Sequence, residues 1–109
     1  MIYSKILSTG SYLPQQVMTN HDFAERMDTS DEWIRTRTGI AQRHIAAPDE
    51  SSTDLAYQAA RDALQRADID PAMLDLIIVA TSTPEPIFPS NASQLQTRLG
   101  CQTIAAFDM

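Results

Sequence analysis

The chain has 109 residues, 43% hydrophobic and 20% charged, with 14 acids against 8 bases and a formal net charge of −6. That length suits about one domain, which could bury roughly two-thirds of the unfolded chain's surface, and the apolar content argues against disorder. The acidic balance argues against a general nucleic-acid binder, and a single cysteine, Cys101, leaves no internal disulfide and no Cys-based zinc site. Residues 2–8 (IYSKILS) read as a short strand, with Gly10 and Pro14 marking the loop after it. Asn20 is a suitable cap for a helix running to Met27. Ser30 can cap a second helix, with Asp31 and Glu32 at the positive end of its dipole and Gly39 as its stop. Residues 40–46 then read as a short extended piece.

The clearest element is 52–67. Leu55, Ala56, Ala59, Ala60, Ala63, Leu64 and Ala67 recur at helical spacing and form one stripe. Ser51 with Asp54 fits a capping box, and Pro71 bars continuation. A stripe made mostly of alanine lets a neighbour approach closely. Leu76 to Ala80 is an unbroken apolar run, as expected of a strand covered on both faces. A further helix is expected over 90–99, with Ala92, Leu95 and Leu99 inward and Gly100 as its stop, followed by a strand over 103–108. Alternating strands and helices indicate an α/β layer with parallel pairing. The last strand reaches Met109 without a closing turn, so the chain is expected to be the front portion of a larger fold.

No run of about 18 apolar residues and no basic-then-apolar leader is present, so no membrane span or signal peptide is expected, and a cytoplasmic setting is the default. With glycine only at positions 10, 39 and 100, a dinucleotide turn or P-loop cannot be built. His21 and His44 lack metal-binding spacing and read as surface or capping groups. Asp31 and Glu32 read as helix-start residues rather than as an acid/base pair. Cys101 follows Gly100 at a helix's C-terminal end, where the dipole disfavours a thiolate, and reads as an inert small residue.

Charge distribution is more informative. From Trp33 to Ala47 there is no acid, while Arg35, Arg37, Arg43 and His44 all fall there. Trp33 and Arg37, four residues apart, share a helix face. An indole can stack on a purine and a guanidinium can bind phosphate, which together suit a nucleotide-bearing ligand. The alternative is an internal cation–π pair with solvated arginines, and spacing alone favours that alternative. The segment 81–90 (TSTPEPIFPS) holds Ile87 and Phe88 among three prolines. These two side chains either fold back on the domain or fill a partner's surface.

The blocks TGSYLP at 9–14, TSDEWIRTRTGIAQRHIA at 29–46, DLIIVATSTP at 75–84, FPSNASQLQTRLG at 88–100 and AAFD at 105–108 resemble, in order, β-ketoacyl-acyl carrier protein synthase III. This is the initiating condensing enzyme family of bacterial fatty acid synthesis. The 29–46 block is the specific one. The resemblance implies an α/β chain that is the N-terminal part of a thiolase-like fold, a mixed and largely parallel sheet with helices. Residues 1–109 would supply part of the first of two related halves, usually in a homodimer. It implies transfer of an acyl group, often acetyl from acetyl-CoA, onto a cysteine, followed by condensation with malonyl-acyl carrier protein.

In that family the cysteine lies a few residues past the pair matching Phe107 and Asp108, and the assisting His and Asn come later. No catalytic residue is therefore assigned here, and no cofactor or metal is implied. Trp33 matches the tryptophan that stacks on the CoA adenine, Arg37 an arginine near the phosphates, and Thr29 a threonine at the adenine edge. The resemblance thus turns the preference toward a ligand grip. Phe88 matches a phenylalanine that reaches across the dimer into the partner's acyl pocket, although Pro84, Glu85 and Pro86 before it depart from the family pattern. The implied partners are an acyl-CoA, acyl carrier protein and a second copy of the chain, with no nucleic acid and no membrane. The rival readings are a noncatalytic module that binds CoA or a partner, and a related starter synthase of secondary metabolism.

Overall fold

The computed structural model describes all 109 residues, which form two compact units: 13–49, and 1–12 together with 50–109. In the smaller unit, β1 (Gln16–Thr19) pairs antiparallel with β2 (Gln42–Ile45), in a register that sets Gln16 opposite Ile45 and Thr19 opposite Gln42. The extended piece expected over 40–46 is β2; β1 was not expected. Between them lie α1 (Asn20–Ala24) and α2 (Asp31–Thr38).

The helix expected from Asn20 to Met27 is shorter, and its cap is Thr19 rather than Asn20. The Thr19 hydroxyl and backbone exchange hydrogen bonds with Asp22 in a capping box, which frees the Asn20 side chain to turn inward, fully buried. Helix α2 is as expected. The Ser30 hydroxyl accepts from the Trp33 amide at 3.1 Å, and Gly39 ends the helix at φ 72°, a left-handed conformation that costs glycine little. His44 is half-buried and its Nδ1 lies 2.5 Å from the Pro14 carbonyl oxygen. A carbonyl only accepts, so that nitrogen carries the proton and the ring is tied down as a local brace.

In the larger unit, α3 (Ser52–Ala67) is followed by a 3-10 turn (Pro71–Met73), β3 (Leu76–Val79), α4 (Asn91–Leu99) and β4 (Ala105–Asp108). Strands β3 and β4 pair in parallel, Leu76 opposite Ala105 and Val79 opposite Asp108, with α4 as the crossover that parallel neighbours require. The capping box expected at Ser51 and Asp54 is present. Hydrogen bonds from Ser51, joined by Arg98, hold the Asp54 carboxyl down to about 2, so it stays charged at the head of the helix. The core is Ile77, Ala92 and Leu95, against which Ala56, Tyr57, Ala60 and Leu99 pack.

Two expectations fail here. Residues 2–8 form no strand: Met1 to Leu7 are exposed, and none of these residues pairs with β1 to β4. A strand is defined by its neighbour's hydrogen bonds, so strand-like composition without one leaves an extended strap. This strap is fastened at its end, where the Ser8 hydroxyl donates to the Ala63 carbonyl at 2.7 Å and the Ser11 amide to Asp62 at 3.0 Å. Second, β3 is covered on one face only. Ile77 is buried under α4, whereas Leu76 and Ile78 alternate to the other face and remain half exposed.

Candidate ligand-binding site

Helix α2 buries one residue, Ile34, and presents Trp33 on its outer side, 57% exposed. The Arg37 guanidinium lies 5.6 Å from the centre of the indole, as one helical turn of separation dictates. The indole stands between two open clefts of about 370 Å³ each. One is lined by Asp28, Thr29, Ser30 and Trp33; the other by Ser30, Glu32, Trp33, Thr36 and Arg37. Three of the residues carried over from the resemblance, Thr29, Trp33 and Arg37, thus meet on one surface.

The arginines of the acid-free stretch do not behave alike. Arg35 gives its Nε to both oxygens of Asp31 at 2.9 Å. Arg43 points inward, donating to Asn20 Oδ1 at 2.9 Å with its guanidinium 4.4 Å from the centre of Phe23. Arg37 forms no ion pair and only leans on Trp33. One guanidinium of the three therefore stays available to an incoming anion, and it is the one beside the indole. Spacing alone did not reveal this, because the difference is made by Asp31 and Asn20, which lie outside the stretch.

The remaining candidates lie in the larger unit. Phe88 is 88% exposed and Ile87 83%, so neither folds back on its own unit. Burial against the core, with the Asp70 charge adding to it, pushes the Cys101 thiol up, a different cause from the helix end expected of its place after Gly100.

A polar cluster that the residues had not signalled sits at the carboxyl end of β4. In a parallel β-α-β unit the helix runs back against the strands, so its N-terminus lies at their carboxyl edge. Asp108 accepts there from the amides of Asn91 at 2.8 Å and Ala92 at 2.7 Å, and from Asn91 Nδ2 at 3.1 Å. Desolvation opposes its charge, but these hydrogen bonds prevail and hold the carboxyl below its ordinary value. The Thr53 hydroxyl in turn donates to Asn91 Oδ1 at 2.9 Å, and both residues are buried. The absence of an acid in the first turn of α4 leaves its positive end open to a carboxylate from another element, but does not say which one supplies it.

The strand, helix and cap arrangement is that of a mixed α/β fold of the thiolase-like class, of which this chain forms a part. The similarity to β-ketoacyl-acyl carrier protein synthase III runs through nearly the whole chain. The synthase III of Xylella fastidiosa is 58% identical over 108 residues, 99% of this chain and 33% of the relative. The crystal structure of the Aquifex aeolicus 3-oxoacyl-acyl carrier protein synthase III superposes with a TM-score of 0.89 at 51% identity, covering 96% of this chain and 34% of that one. The priming β-ketosynthase of a polyketide biosynthetic pathway superposes at 0.86 with 36% identity, covering 96% of this chain and 31% of that one. No family model matches the chain. The chain spans about a third of the length of the curated relatives it matches. No helix is long and apolar enough to cross a membrane.

Proposed function

We propose that this chain supplies the nucleotide-gripping wall of a condensing acyltransferase of the synthase III type. The observation that carries the reading is the exposed Trp33 indole with the one unpaired guanidinium of its stretch, Arg37, one turn away. An adenine stacks on the indole, Arg37 meets the phosphates of the CoA handle, and Thr29 borders the adenine edge. The acyl donor is a short acyl-CoA, acetyl-CoA in the first instance.

In the reaction a cysteine thiolate, carried by residues that follow this chain, attacks the acyl carbonyl and expels CoA as its thiolate. Malonyl-acyl carrier protein then loses carbon dioxide, and the resulting carbanion attacks the enzyme thioester. The β-ketoacyl carrier protein leaves and the cysteine is freed. The setting is cytoplasmic and the enzyme a homodimer.

Stacking on an aromatic ring is worth about 1–3 kcal/mol per base, so Trp33→Ala in the full-length enzyme is expected to lower kcat/KM for acetyl-CoA by about fivefold to about 150-fold. Arg37→Ala should do the same, with Arg37→Lys recovering part of the loss because a point charge replaces a planar fork. Unchanged kcat/KM in Trp33→Ala and Arg37→Ala would reject the CoA role.

Phe88 belongs to the same reading as a residue that crosses the two-fold axis to the partner's acyl pocket; its 88% exposure within the chain supports this. Phe88→Ala is expected to weaken dimerisation or change the preferred starter acyl chain. Wild-type sedimentation together with wild-type starter preference would exclude it. The likeness to a priming β-ketosynthase favours, as a second reading, a starter synthase of secondary metabolism. Product analysis with a series of acyl-CoA starters separates the two.

A further inference from the structure

We propose that Asn20 is a positioning residue for the Trp33–Arg37 grip, an inference that rests on the CoA reading above. Its side chain is fully buried, yet every polar atom of its amide is used. Nδ2 donates to Asp31 Oδ1 at 2.8 Å and to the Ile40 carbonyl at 2.8 Å, and Oδ1 accepts from Arg43 Nη1 at 2.9 Å. The backbone amide of Asn20 adds a bond to the Ala41 carbonyl at 3.2 Å.

These partners bracket α2. Asp31 is its first residue, and Ile40 follows the glycine that ends it. A helix of eight residues that buries only Ile34 has little apolar surface with which to fix its own rotation. One planar amide, with two donors and an acceptor in fixed directions, therefore sets the angle at which α2 displays its outer face. The same amide commits Arg43 inward, and Asp31, which it also holds, commits Arg35. Asn20 thereby decides which guanidinium is left for the ligand. No other side chain of this size offers the same set: aspartate keeps the acceptor but loses both donors, and alanine loses all three.

The test measures, in the full-length enzyme, the ratio of kcat/KM for acetyl-CoA to that for acetyl-pantetheine, a donor with the same thioester and no nucleotide. A ratio taken on one sample is insensitive to the fraction of folded enzyme, so loss of stability alone does not move it. Asn20→Ala and the equal-sized Asn20→Asp are each expected to narrow the ratio about two- to thirtyfold, the size of a coupling carried through a packed network. Leu95→Ala, a core truncation in the other unit, should lower the unfolding midpoint and leave the ratio alone. If Trp33→Ala collapses the ratio while both Asn20 variants keep it, the positioning role is overturned and the CoA reading stands. If Trp33→Ala also keeps the ratio, the CoA reading fails and this inference fails with it.

Discussion

Gly10→Ala is expected to lift the N-terminal strap off helix α3 and to lower the unfolding midpoint of the protein clearly. A Cβ added at Gly10 would fall against the Ala59 carbonyl oxygen and the Ala63 amide nitrogen, and 2.8 Å from Ala63 Cα. All three are main-chain atoms of a helix interior, and unlike the end of a long side chain they cannot move aside. Overpacking into a side chain costs typically about 1–3 kcal/mol; against a helix backbone the upper end applies.

The strap escapes only by breaking its two fastenings, Ser8 to the Ala63 carbonyl and Ser11 to Asp62. The close approach also explains why α3 carries alanine where it does, since Ala59 and Ala63 lie directly beneath the glycine. Thermal unfolding of Gly10→Ala, with limited proteolysis of residues 1–12 as the local readout, checks this. A wild-type midpoint with wild-type protection would show that the contact carries no weight.

What could be read from the residues, and what could not, divides along the range of the interactions. Helices α3 and α4 and the stop at Gly39 were legible because their determinants are local: a capping box that joins Ser51 to Asp54, an apolar period of one turn, a glycine able to take positive φ. Residues 2–8 have the composition of a strand but lack a partner among these four strands, and pairing is not written in composition. Strand β1 was missed for the mirror-image reason: four residues with little alternation become a strand only because β2 lies alongside them. Likewise, the unbroken apolar run at Leu76 to Ala80 cannot say whether one face or two of the strand will be covered.

The site divides in the same way. The Trp33–Arg37 pair follows from helical spacing, whereas the availability of Arg37 follows from where Asp31 and Asn20 send Arg35 and Arg43. The second relation joins residues on α1, α2 and β2, so only the fold brings it into view.

The same distinction makes Asn91 the most consequential polar side chain of the larger unit. Asn91→Ala is expected to destabilise the protein by about 1–3 kcal/mol, because it strands the buried Thr53 hydroxyl without its acceptor; it also takes one of three donors from Asp108. Asp108 keeps the two backbone amides of α4 in this variant, so the cap survives. Thr53→Val removes the hydroxyl while keeping the shape. In that background Asn91→Ala should cost about 1 kcal/mol less, the coupling of a directly bonded pair.

Asn91→Asp keeps the volume but sets a second carboxylate against Asp108, whose own charge is held by the helix amides and persists below the ordinary carboxyl range. Its penalty should exceed that of alanine at neutral pH and shrink as acid protonates the introduced group. Denaturant unfolding of the four variants (two single, one double, one charged) tests the whole cluster. Strict additivity of Thr53→Val and Asn91→Ala, or a charged variant no worse than alanine at neutral pH, would show that Thr53, Asn91 and Asp108 are neighbours without being a network.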